Sequence, residues 1–106
     1  MLQNIDYAVL GKRIKETRQV SGITQEALAE MVSCNTSHIS NIENNYTKPS
    51  LNVLLSIANA LNTSIDFLLS NQYSNESLAL NNEIFLLFSL LPEEKKQQLI
   101  RIIKVL

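Results

Sequence analysis

The sequence predicts an all-α fold, five short helices followed by two more near the C-terminus. Three observations carry this. Apolar residues recur three and four positions apart through most of the 106 residues, the period of a helix face. Serine, threonine or asparagine stands just before several of these stretches, where a side-chain oxygen caps free N–H groups. Two glycines and two prolines suit helices joined by brief turns.

The elements follow in order. In 8–21, Leu10 and Ile14 lie four apart on one face, with Lys12, Arg13, Lys15, Glu16 and Arg18 on and around the other. Gly22 closes this helix, because glycine accepts the left-handed conformation that follows many helix ends. Thr24 caps 25–32, in which Ala27, Leu28 and Met31 are expected as an apolar stripe. The capping box is incomplete, since Ala27 stands where glutamate or glutamine would complete it. After the turn Ser33-Cys34-Asn35, Asn35 caps a short helix, 36–44, that points Ile39 and Ile42 inward and ends at Asn44-Asn45. Pro49 stops continuation, and Ser50 caps 51–61 with Leu51, Leu54, Ile57, Ala58 and Leu61 apolar. Ser64 caps 65–70, with Phe67 and Leu68 facing the core.

Residues 71–81, "NQYSNESLALN", are polar and weakly patterned and read as a linker. The tail 82–106 is strongly apolar. Pro92 suits a first helical position, Glu93 and Glu94 complement the positive end of that helix, and Lys104 its negative end. Ile84, Phe85, Leu87, Phe88, Leu91, Leu99, Ile102, Ile103 and Leu106 are too much apolar surface for two short helices to hide alone. They must pack on the preceding domain or on a second chain.

Composition narrows the function. The length suits one domain with a short appendage. A formal net charge of −1 gives no global attraction to nucleic acid, so any affinity must come from a local patch. One cysteine, Cys34, and one histidine, His38, leave no intramolecular disulfide and a poor metal-ligand set. No cofactor is expected. No nucleophile–base pair, carboxylate dyad or glycine-rich phosphate loop suggests an enzyme. The first eleven residues lack a basic-then-apolar leader and no apolar run approaches spanning length, so a cytoplasmic chain without membrane contact is expected.

The stretch "RIKETRQVSGITQEALAEMVSCNTSHISNIENNYTKPSLNVLLSIANALNTSIDFLL" resembles the phage-repressor (Cro/cI, Xre-type) helix-turn-helix family of transcriptional regulators. The match lies in linked features: Arg13-Ile14, the exit from Arg18 to Gly22, "TQEALAE", Ile39-x-x-Ile42-Glu43, Pro49-Ser50 and "IANAL". Ser33 and Asn45 depart from it, standing where the family usually has glycine. The resemblance implies a five-helix lambda-repressor-like DNA-binding domain over 1–70. It also implies that the helix at 36–44 enters the major groove of double-stranded DNA. Thr36, Ser37 and Asn41 would then lie nearest the base edges, with Ser40 and His38 beside them. Asparagine can pair two-pronged with adenine, and hydroxyls can donate or accept. The family's phosphate-holding regions correspond here to Thr24, Gln25, Asn35, His38, Asn44, Tyr46, Thr47 and Lys48. Lys48 is the only lysine or arginine between residues 19 and 94. Arg18 would pair with Glu43 and fix the reading helix, with a further role on phosphate.

Two features keep alternatives open. Cys34 is either a redox sensor beside DNA or a small filler in the turn where the family usually has valine. The tail is either extra core or a dimer interface, the preferred reading, built from Ile84, Phe85, Phe88, Leu91, Leu99, Ile102, Ile103 and Leu106. A homodimer fits operators whose half-sites lie about 34–36 Å apart. The chain therefore reads as a sequence-specific regulator, more readily a repressor, that binds an inverted repeat. The rival is a protein-interaction module, such as an antitoxin or antagonist, that sequesters a second protein.

Overall fold

The computed structural model describes residues 4–73 and 76–106, in two units that meet between Gln72 and Tyr73. Residues 1–3 of the expected domain and 74–75 of the expected linker lie outside the described residues. The first unit holds α1 (Tyr7–Val20), α2 (Gln25–Met31), α3 (Thr36–Glu43), α4 (Leu51–Ala60) and α5 (Ile65–Leu68), then a 3₁₀ turn, Ser70–Gln72. No strand occurs among the described residues, in line with the all-α expectation.

Side chains set where these helices begin. Thr24 accepts from the Ala27 N–H at 3.0 Å, Asn35 from His38 at 2.8 Å, Ser50 from Val53 at 3.1 Å and Ser64 from Phe67 at 3.0 Å. Asp6, which the sequence reading passed over, accepts from Ala8 and Val9 and starts α1 one residue early. Left-handed residues set where four of them stop: Gly22 (φ 72°), Ser33 (58°), Asn45 (62°) and Asn62 (54°). After each, the next N–H reaches back five residues to a helix carbonyl: Ile23 to Arg18, Cys34 to Ala29, Tyr46 to Asn41 and Thr63 to Ala58. These are Schellman endings, which satisfy carbonyls that the helix itself leaves open.

The core of the first unit centres on Leu10, Ile14, Leu28, Ile39, Ile42, Ile57 and Leu68, all essentially inaccessible. Two residues expected on apolar faces lie outside the core: Met31 is 55% and Leu51 73% exposed, while Ala29 is 2% exposed. The inward stripe of α2 is Gln25, Leu28, Ala29 and Val32, at the i, i+3, i+4, i+7 spacing of one helix face, and Met31 lies off it. Helices α1 and α3 approach closely at Gly11. A β-carbon there would collide with the Ile42 carbonyl oxygen and lie 2.8 Å from that of Glu43. The ends of the unit are also tied. The Gln72 carboxamide accepts from the Asp6 N–H at 2.6 Å and donates to the Asp6 carbonyl at 3.1 Å.

The second unit holds α6 (Glu76–Ser89) and α7 (Glu93–Lys104). Helix α6 begins inside the stretch expected as linker, so the 71–81 boundary is corrected there. Glu76, Leu78, Ala79 and Leu80 are good helix formers, a signal that outweighs the polar neighbours. Pro92 stands one position before α7 rather than in its first turn, which carries Glu93 and Glu94 as expected. Ile84, Phe85, Leu86 and Leu87 are four consecutive exposed apolar residues. At 100° per residue they point around the whole circumference of α6. No helix among the described residues is long and apolar enough to cross a membrane.

Candidate nucleic-acid interface

Helix α3 divides its eight residues sharply. Ile39, Ile42 and Glu43 are buried, while Ser37 and Asn41 are exposed and Thr36 and Ser40 half-buried. The outer face is small and polar, and no lysine or arginine lies on it. Ser37, His38 and Asn41 line one open depression together with Ser33, Cys34 and Asn35 of the preceding turn. Five polar side chains therefore converge where the turn meets α3. Thr36 and Ser40 are not part of that lining. The Ser40 carbonyl and hydroxyl both accept from the Asn44 amide, at 2.9 and 3.3 Å, so Asn44 folds back along α3. Within the depression, Asn35 has two tasks: its carboxamide oxygen caps α3 and accepts from the Ser37 hydroxyl at 2.9 Å.

A buried ion pair holds this face in place. Arg18 Nε donates to Glu43 Oε2 at 2.6 Å and Arg18 Nη2 to Glu43 Oε1 at 3.0 Å. The two-pronged fit suits a guanidinium against a carboxylate. Arg18 Nη1 also donates to the Ile23 carbonyl at 2.9 Å, and Gln25 Nε2 reaches Glu43 Oε1 at 2.9 Å. The Glu43 side chain has no exposed surface. One carboxylate thus ties α1, α2 and α3 together, and it needs that company because a lone buried charge is strongly unfavourable. In this geometry Arg18 is 8% exposed and turned inward, and the Gln25 amide donates one N–H to Glu43. Burial demands a partner for the guanidinium, and Glu43 supplies it.

Past α3, the Asn41 carbonyl accepts from both Tyr46 N–H, at 2.8 Å, and Thr47 N–H, at 3.2 Å. The loop is therefore pinned to the helix whose side chain faces outward at the same residue. Tyr46 is 80% exposed, Thr47 half-buried and Lys48 exposed. Lys48 Nζ lies 5.1 Å from the centroid of the Tyr7 ring. The Thr24 hydroxyl is used as the cap of α2. Cys34 is half-buried and packs against the core, with Sγ 3.7 Å from the Val32 carbonyl. Among the described residues, no group of three or more histidine, cysteine or acidic side chains could hold a metal ion.

Sequence reasoning missed Gly11 and Tyr7. A glycine inside a helical pattern often marks a close approach, so Gly11 did leave a signal. Tyr7 left none, since its relation to Lys48 exists only once the chain folds.

The helix-turn-helix family model matches residues 14–68, from the middle of α1 through α5. The chain belongs to the helix-turn-helix family. It is of the phage-repressor, Xre type that the linked motifs imply. Over 78 residues it is 40% identical to the HTH-type transcriptional regulator ImmR of Bacillus subtilis (strain 168). That stretch is 71% of this chain and spans 61% of ImmR. Among solved structures, the chain is similar to the P22 c2 repressor crystallised in complex with a synthetic operator. Identity there is 38% with a TM-score of 0.54, covering 57% of this helix-turn-helix chain and 91% of the repressor chain. A chain of the SinR–SinI protein complex is similar over 90% of this chain and 94% of its own length, at 25% identity and a TM-score of 0.56.

Proposed function

We propose that this helix-turn-helix chain is a sequence-specific DNA-binding transcriptional regulator, acting as a repressor from an inverted repeat as a homodimer. The observation that carries the reading is the outer face of α3. Exposed small polar side chains sit on a helix locked from behind by the Arg18–Glu43 pair. Such a face can approach base edges, because nothing bulky holds it away and each side chain can donate or accept. In this reading Thr36, Ser37, Ser40 and Asn41 read bases. Asn44, Tyr46, Thr47 and Lys48, together with Thr24, Asn35 and His38, hold the sugar-phosphate chain. The likeness to a repressor crystallised with its operator supports both the face and the sign of regulation.

Dimerisation follows from charge and from apolar surface. With one cation between residues 19 and 94, a single chain has little phosphate affinity, and two linked half-sites multiply weak contacts. The exposed apolar residues of α6 and α7 supply a surface for the second copy. The test is selection from randomised duplexes by the purified chain, with its mass in solution measured alongside. Enrichment of a two-fold-symmetric sequence by a dimer is expected. A dimeric sample that enriches no sequence would overturn the reading.

A second reading places the partner elsewhere. The likeness to a chain of the SinR–SinI complex extends over the tail as well as the DNA-binding domain. It supports a surface on α6 and α7 that takes a second, different protein, and so an antagonist or antitoxin role. A chain that stays monomeric alone and binds no DNA would favour it.

A further inference from the structure

We propose that Tyr7 is a positioning residue for the phosphate grip: its ring holds Lys48 ready beside α3 before DNA arrives. The inference rests on the DNA-binding reading above and deepens it.

Four observations carry it. Lys48 Nζ stands 5.1 Å from the Tyr7 ring centroid, within the range in which a ring face attracts an ammonium. Tyr7 is itself held firmly, half-buried against the core, on a helix start capped by Asp6 and tied through Asp6 to Gln72. The backbone leading to Lys48 is pinned by the two N–H groups that donate to the Asn41 carbonyl. Finally, no other lysine or arginine lies between residues 19 and 94, so no neighbour in that stretch can substitute for a badly placed Lys48.

A lysine is a flexible stem with many rotamers, and fixing it on a phosphate loses that freedom. Prior contact with a ring removes part of the loss before binding. The ring does not compete with the phosphate. It covers one side of the ammonium through its negative face, leaves the formal charge intact, and an ammonium has three N–H groups to share.

The test uses the full chain and the duplex enriched by the wild type, with Tyr7→Phe and Tyr7→Leu made alone and with Lys48→Ala. Tyr7→Leu should weaken binding about two- to fivefold, the size of an exposed ring–cation contact. Tyr7→Phe, which keeps the ring, should bind as the wild type does. In the Lys48→Ala background Tyr7→Leu should lose nothing further, because the effect runs through the lysine. In the free protein, ring-current shifts of the Lys48 ε-methylene in NMR spectra should survive Tyr7→Phe and vanish in Tyr7→Leu. Equal losses with and without Lys48 would overturn the proposal and make Tyr7 merely structural. Tighter binding by Tyr7→Leu would overturn it too, as would a wild-type ε-methylene with no ring-current shift. If the wild type enriches no duplex, the DNA-binding reading itself fails, a result distinct from enrichment without coupling.

Discussion

At Glu43 a carboxylate with no exposed surface sits against Arg18, Gln25 and, through the guanidinium, the Ile23 carbonyl. Such pairs contribute little net stability, yet losing one member strands the other charge in the interior. Glu43→Leu should therefore destabilise the fold by about 3–5 kcal/mol. The double variant Arg18→Met/Glu43→Leu should recover much of that loss, and urea midpoints would decide it. A double variant no better than the single one would mean that the pair matters for more than its charges. On the outer face, residue effects separate by chemistry. Asn41→Ala should relax base preference, while Lys48→Ala should weaken every duplex alike and lower the salt slope by about one. Uniform losses for Asn41→Ala across sequences would remove its assigned role.

Helix α3 is placed by its ends and by its back. Its turn carries Ser33 in the left-handed region, at φ 58°, which suits glycine better than any residue with a β-carbon. Ser33→Gly should stabilise the chain by about 0.5–1 kcal/mol, seen as a higher thermal midpoint. A lower midpoint would show that the serine makes a compensating bond. Behind α3, Gly11 lets α1 come close enough for the Arg18–Glu43 pair to form. In an ordinary exposed helix, Gly→Ala is stabilising by about 1 kcal/mol. Here Gly11→Ala should instead cost about 1–3 kcal/mol, because the new methyl meets backbone oxygens that cannot turn aside. It should also weaken DNA binding by shifting α3. The sign of the stability change is the check.

The whole molecule divides into a self-contained unit and a tail. Every buried residue of the core cluster lies between Leu10 and Leu68. A chain ending at Gln72 should keep its cooperative unfolding and its helical spectrum. If the tail joins two chains as proposed, this shorter chain should be monomeric by light scattering and bind its duplex far more weakly, with the second half-site lost. A truncated chain that remains dimeric would move the interface into the first unit. The salt dependence of the full chain should be shallow for a DNA-binding protein, because Lys48 is the only lysine or arginine between residues 19 and 94 that can displace counterions.

Much of this was legible in the residues. Thr24, Asn35, Ser50 and Ser64 mark helix starts because a capping oxygen acts within three residues, so sequence order alone determines the contact. Gly22 and Asn45 mark helix ends for the same local reason, and the apolar spacing selects most of the core. The small polar face of α3 is likewise a property of sequence and helical period. Other features depended on which helices meet. Met31 is exposed and Ala29 buried because α2 packs on a face its own pattern left ambiguous. Arg18 and Gln25 turn inward because Glu43 lies 25 and 18 residues away in the chain but within hydrogen-bond reach in space. The ring beneath Lys48 belongs to Tyr7, forty-one positions earlier. Local chemistry determined the helices and their outer faces. Long-range packing decided which charged groups are structural and which remain outside to meet a partner, because burial and partnership are properties of the assembled core.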